Sequence, residues 1–482
     1  MADIKDVFDA KDAVGLGALV AAGEVTSSEL VDEAIRRVEL LNPRLNALTY
    51  VDFDRARAAA ATVGTTSALS GVPFVMKDLA VEWAGYPVTN GSRYWKDHVA
   101  TGNWTLAQRA LDAGLIPLGK SNVPEGGWAG TTEPALHGPT VNPWDPSLIP
   151  GGSSGGSSVA VASRMVPIAD ASDGGGSIRI PASINGLVGL KPSRGRITFG
   201  PMLTDFWCGG AVFLCVSRSV RDTAAYLDIV AGAEPGEPYA LDLPGEPYAA
   251  ARTRAPGPLR IGVVTQGPDG GAVSDDVAAA VAQAAGLCRD LGHHVDGLDL
   301  RFAIELMGHV FCRIGAVAAA ASYAFGAATV GHEVTEDDVE PVTWAMIQLG
   351  RSITGPEHYV DVELLRGFAR DYVRQQQAVD VVLAPVLPES APEIGFLDMR
   401  HQDLTTYNDL MTRGAVFTAP VNLSGQPAIT LPIGRTAEGS PVGVQFIAPI
   451  GREDVLLGLA RTLEEAAPWS DRRPSVTRDV LG

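Results

Sequence analysis

Cysteine is scarce in this chain of 482 residues: Cys208, Cys215, Cys288 and Cys312 form no Cys-x-x-Cys pair and have no histidine at a matching metal-ligand spacing. That scarcity excludes a disulfide scaffold and argues against a structural zinc site. Basic residues are also short, 37 Lys and Arg against 56 Asp and Glu, for a net charge of −19. Nucleic acids and anionic membrane surfaces are held by clustered Lys and Arg, so neither is an expected partner. Long apolar runs are missing too. The longest uncharged stretch, residues 314–331, is mostly Ala and Gly and reads as too weakly hydrophobic for a membrane span. The opening MADIKDVFDAKDAV has no apolar run behind a basic flank, which reads as a cytoplasmic protein without a signal peptide.

What is present is ordinary globular composition, 46% apolar and 19% charged, enough to build a large core. The first sixty residues read as helix. Thr26 can cap, Glu29 follows three residues later, and Leu30, Val31, Ala34, Ile35 and Val38 share one face, with Asn42-Pro43 expected to end it. Apolar runs at 72–81, 115–118 and 165–169 read as strands alternating with helices. Residues 235–240 and 244–249 both spell PGEPYA, too short a repeat for a solenoid and read as a surface loop.

Beyond that loop, residues 259–265 read as a strand. A helix follows, capped by Ser274 and ended by Gly292, with Val277, Val281, Ala284, Cys288 and Leu291 inward. Further strands at 379–384, 428–432 and 442–448 are expected to complete the same sheet. The fold class is therefore α/β with a mixed sheet. The expected organisation is one domain over 1–482: a helical region 1–65, a motif-rich region 66–232, a Pro/Gly-rich loop 233–258, and a second half 259–482.

Three motifs are decoys. Residues 114–121, GLIPLGKS, satisfy the phosphate-loop pattern, but Leu115, Ile116, Pro117 and Leu118 look like a strand, and Pro117 has no N–H to offer a phosphate. Residues 151–155, GGSSG, fit a nucleophile elbow, yet turn-forming residues precede them where an apolar strand is required. His293-His294 reads as a solvated pair at a helix end, and no metal or other cofactor is expected.

Three other features resist a bland reading. GGSSGGSS at 151–158 is rich in hydroxyls and runs straight into Val159-Ala160-Val161-Ala162, so it is held inside the fold instead of serving as a linker. Asp173-Gly174-Gly175-Gly176-Ser177-Ile178-Arg179 places three glycines before a serine. Such a run can converge backbone N–H groups on an oxyanion, or simply make a tight turn. Lys77 ends an apolar run, where it either snorkels to the surface or is desolvated into a usable base.

Together these residues resemble the amidase signature family, in which a GGSSGGS segment, an Asp-Gly-Gly-Gly-Ser-Ile-Arg segment and an upstream strand lysine recur in this order. Ser153 and Ser177 stand 24 residues apart, as in the family. Residues 424–428 and 443–445 resemble its C-terminal segments. The resemblance implies the family's fold, a central mixed twisted β-sheet covered by helices on both faces. It also implies a Ser-Ser-Lys triad: Ser177 the nucleophile, Ser153 the bridge, Lys77 the base. Gly174, Gly175 and Gly176 would form the oxyanion hole, and Ser154, Asp173 and Arg179 would support it. One peptide bond beside Ser153 would be cis.

Within the family the layout, including residues 335–340 and 451–454, is most similar to the 6-aminohexanoate-cyclic-dimer hydrolase type. That implies small amides, linear, cyclic or aryl, or carbamates as substrates. By the same analogy Gly126, Gly127, Trp128 and Cys312 would line the pocket, with core packing an equal reading of Trp128 and Cys312. A homodimer is left open. The alternative is the family's glutaminase subunit of a tRNA-dependent amidotransferase, which the acidic charge disfavours.

Overall fold

The structure is a computed structural model describing residues 3–481. Its strands are β1 (Leu48–Val51), β2 (Pro73–Lys77), β3 (Ile116–Ser121), β4 (Ile168–Asp173), β5 (Val188–Lys191), β6 (Val212–Ser217), β7 (Arg260–Val263), β8 (His294–Gly297), β9 (Val381–Pro385), β10 (Ala428–Arg435) and β11 (Pro441–Ile447). All eleven form one sheet, ordered β1-β3-β2-β4-β6-β5-β10-β11-β9-β7-β8. β2 runs parallel to β3 and β4, and β7 parallel to β8 and β9, while the other pairings are antiparallel. The mixed sheet is a single surface. Strands before the Pro/Gly-rich loop occupy one side of it and strands after the loop the other. They meet where Ala428 of β10 stands opposite Lys191 of β5.

Helices cover both faces. Gly434 and Val442 are cross-strand partners and share a face; Gly443, the next residue, must point the other way. A Cβ on Gly434 would stand 2.3 Å from Ala280, in the helix Asp275–Asp290, whereas one on Gly443 would stand 2.8 Å from Ser183, in the helix Arg179–Asn185. The sheet is sandwiched at this point. The main core runs from Leu16 and Val31 through Phe74, Val216 and Leu431 to Leu457.

Several local expectations need correction. The first sixty residues are not all helix, because β1 pairs with β3 at their end. The helix Ser27–Leu45 has the Thr26–Glu29 capping box, but it runs through Pro43 to a left-handed Asn46. The Asn42 side chain closes that end by accepting from the Ala47 and Leu48 N–H groups. The strand read at 165–169 begins instead at Ile168. Arg164 is left-handed and the Met165 N–H turns back onto the Ala160 carbonyl, so these residues close a helix.

Ser274 precedes its helix without making a side-chain cap, and Leu291 is exposed. His293 is buried, its Nδ1 accepting from the Leu259 N–H. Residues 304–330 form a single 27-residue helix that, by length and composition, is sufficient to cross a membrane. Here it packs against the helices Pro341–Ser352, Gly355–Arg374 and Leu404–Gly414. The GLIPLGKS segment is β3 itself, with Lys120 inside the sheet.

Candidate active site

Lys77 ends β2 and is 1% exposed. Its Nζ lies 2.8 Å from each of three hydroxyls, Ser153, Ser154 and Ser172. Burial holds the amine well below the usual lysine range, down to about 7, with Asp170 and Asp173 partly opposing the shift. A neutral amine has two N–H donors and a lone pair, so one of the three hydroxyls must donate to it. Ser154 Oγ already donates to the Ser172 carbonyl at 3.2 Å, whereas Ser153 Oγ and Ser172 Oγ each have Lys77 as their only hydrogen-bond partner among the described residues. Ser153 is thus free to hand its proton to the amine.

Ser153 and Ser154 lie in a loop leading into the helix Gly155–Ala162, every residue of which is buried. The Gly152–Ser153 peptide is cis. A Cβ on Gly151 would stand 2.8 Å from Pro181 Cα, so this loop is packed against the helix that follows Ser177. Gly127 borders the same hydroxyl, since its Cβ position is 3.4 Å from Ser153 Oγ.

Ser177 follows β4 and is half-buried. Its hydroxyl makes no hydrogen bond among the described residues, so Ser153 and Ser177 are not joined directly. The three preceding glycines divide unequally. The Gly176 N–H donates to Asp173 Oδ1 at 2.8 Å, which corrects the reading of Gly176 as an oxyanion donor: its one donor is already spent on a carboxylate. The N–H groups of Gly174, Gly175 and Ser177 have no protein acceptor among the described residues.

Asp173 organises this loop. Besides Gly176 it accepts from the Ile178 N–H and from Arg179 Nε at 2.9 Å and Nη2 at 3.0 Å. Burial alone would raise this carboxyl; the Arg179 charge and its hydrogen bonds instead hold it down to about 2. The guanidinium is itself fully engaged, reaching the Thr418 carbonyl, Asn422 Oδ1 and Gln445 Oε1. Asn422 also donates to the Asp173 side chain. Sequence reasoning missed Ser172, Thr418 and Asn422. Ser172 adjoins the glycine motif, but the other two lie more than two hundred residues away with no local signal.

A second lysine is buried nearby. Among the described residues Lys120 Nζ makes no hydrogen bond; it lies 4.0 Å from Asp78 Oδ1, and the Asp78 carboxylate is taken by the Thr89 N–H and hydroxyl. Asp170 Oδ1 is also without a partner, and burial pushes this carboxyl up to about 7 against the pull of Lys120 and Lys77.

On the accessible side, Gly126 and Gly127 are half-buried, as is Cys312. Trp128 is 7% exposed and stacks on Trp207, with ring centroids 5.2 Å apart. The fold defines a class, the amide-cleaving hydrolases of carbon–nitrogen bonds. The amidase family model matches residues 29–457, and the chain belongs to that family. It is 39% identical to a 6-aminohexanoate-cyclic-dimer hydrolase of Pseudomonas sp. (strain NK87), over 97% of each chain. A solved structure of 6-aminohexanoate cyclic dimer hydrolase complexed with substrate superposes with a TM-score of 0.91 at 38% identity, over 98% of this chain and 100% of that one. A bacterial aryl acylamidase structure is similar at a TM-score of 0.86 and 26% identity, over 98% of each chain.

Proposed function

We propose that this amidase hydrolyses small neutral amides, linear, cyclic or aryl, and the related carbamates through Ser177, Ser153 and Lys77. The observation that carries the reading is the desolvated Lys77 amine held against Ser153, with unclaimed N–H groups at Gly174, Gly175 and Ser177. Lys77 takes a proton from Ser153, which takes one from Ser177 as its Oγ bonds to the substrate carbonyl carbon. Catalytic hydrogen bonds are often long before substrate arrives, and bound substrate closes the gap between the two serines.

The oxyanion is held by the Gly174, Gly175 and Ser177 N–H groups. Collapse breaks the C–N bond as the proton returns through Ser153 to the leaving nitrogen, which leaves readily only as the neutral amine. Water then adds to the acyl-enzyme by the same relay, releasing acid and restoring Ser177. A carbamate follows the same path, its acyl-enzyme being a carbonate ester.

The similarity to hydrolases of a cyclic amide dimer supports amide substrates without a fixed charge. The test is a hydrolysis panel of an anilide, an aliphatic amide, a cyclic diamide, an ester and an aryl carbamate. Ser177→Ala is expected to abolish turnover with folding intact. Hydrolysis that persists in that variant removes Ser177 from the mechanism.

A further inference from the structure

Ser177, Gly174 and Gly175 are half-buried while Lys77, Ser153 and Ser154 are enclosed, so Ser177 is open to substrate on the side of the glycine loop. Two rings stand there. A Cβ on Gly174 would lie 2.8 Å from Trp207 Cζ3, and one on Gly175 would lie 3.4 Å from the Phe311 ring. Phe311 meets Trp207 edge to face, with centroids 5.3 Å apart. Trp207 is also stacked with Trp128 and with Phe206. Trp128 adjoins Gly127, which borders Ser153, so one continuous aromatic wall reaches from the oxyanion loop to the bridging hydroxyl.

The backbone is strained to place this ring. Trp207 and Cys208 have φ of +55° and +53°, a left-handed conformation unfavourable for residues with bulky side chains. The turn is held by Asp205 Oδ1, which accepts from the Gly209 N–H, and by Arg194 Nε, which donates to the Gly209 carbonyl. Those two charges are therefore spent on the turn. Trp207 and Phe311 each remain half-exposed beside the glycine loop, and exposed aromatic surface favours contact with an incoming flat ring.

We propose that Trp207, backed by Phe311, is the specificity-determining residue of this site and selects substrates with an uncharged aromatic ring next to the scissile C–N bond. The inference rests on the hydrolytic reading above for its location. It is tested with methyl N-phenylcarbamate against methyl N-cyclohexylcarbamate, and acetanilide against N-cyclohexylacetamide. Phenyl substrates carry better leaving groups, so the informative quantity is the change in the phenyl-to-cyclohexyl ratio between proteins.

In Trp207→Gly, where φ of +55° suits the new residue, the ratio of kcat/KM values is expected to fall about fivefold. Phe311→Leu, on a regular helix, should move it the same way and keeps the test alive if the first variant does not fold. Binding is measured separately by tryptophan fluorescence in Ser177→Ala, which should prefer the phenyl carbamate and lose that preference with Trp207→Gly. Phenyl-selective binding without hydrolysis by the unmutated enzyme would leave this inference standing and remove the hydrolytic reading. An unchanged ratio in both variants, or equal losses on both rings, overturns it.

Discussion

Lys77 ends β2 and Lys120 is the penultimate residue of the adjacent parallel strand β3, both fully buried and both with amines pushed down by desolvation. Their surroundings differ sharply. Lys77 meets three hydroxyls at 2.8 Å, while Lys120 has no hydrogen bond and only a long approach to a carboxylate already in use. Burial alone therefore does not mark a base. What distinguishes Lys77 is its set of three hydroxyl partners, and Arg179 shows the third possibility, a buried cation whose three guanidinium nitrogens all find acceptors.

The contrast breaks first on activity. Lys77→Ala should lower kcat by about 10³-fold, with part of the rate returning at high pH or with an added small amine. Lys120→Met should keep most of its turnover in the same assay. If the two variants lose activity equally, the distinction is wrong.

Stability comes next. Arg179→Met leaves the Asp173 carboxylate buried without its counter-ion and should cost about 3–5 kcal/mol in denaturant unfolding. Lys120→Met removes a cation whose hydrogen bonds are unmade, so it should be neutral or stabilising by about 1 kcal/mol.

The subtlest test is pH. In the proposed mechanism neutral Lys77 is the base, so kcat/KM should rise with pH through about 7. The Asp170 charge favours the ammonium and holds that value up. Asp170→Asn should therefore move the acid limb to lower pH without a large change in the plateau. A limb that moves upward, or stays fixed, would show that Asp170 does not act on Lys77.

Much of this was legible in the chain before folding. Apolar runs between Gly and Pro located β2, β3, β4, β7, β9, β10 and β11 but not β5 and β6 at the middle of the sheet, and the Thr26–Glu29 box located a helix start to the residue. The serine loop, the glycine turn and the strand lysine could be picked out because each is unusual in its local setting. Short edge strands such as β1 and β8 were not legible, since four residues carry little pattern. The glycines proposed to hold the oxyanion stand out in the sequence as a group but not one by one. Three glycines look alike in sequence, and only the Asp173 carboxylate, by claiming Gly176, tells them apart. Trp207 gave no signal at all, because its importance comes from where a strained turn carries its ring.

The seam between β5 and β10 has a practical consequence. Each half of the sheet is built from one continuous length of polypeptide, and Arg179 from the first half is clasped by Asn422 and Gln445 from the second. A break in the Pro/Gly-rich loop would give one fragment holding the serines and lysine and another holding the clasp. Neither fragment should be competent alone, but co-expression should restore turnover, making the enzyme a natural split reporter whose signal depends on the two halves docking through the β5–β10 seam, the shared core and the Arg179 clasp.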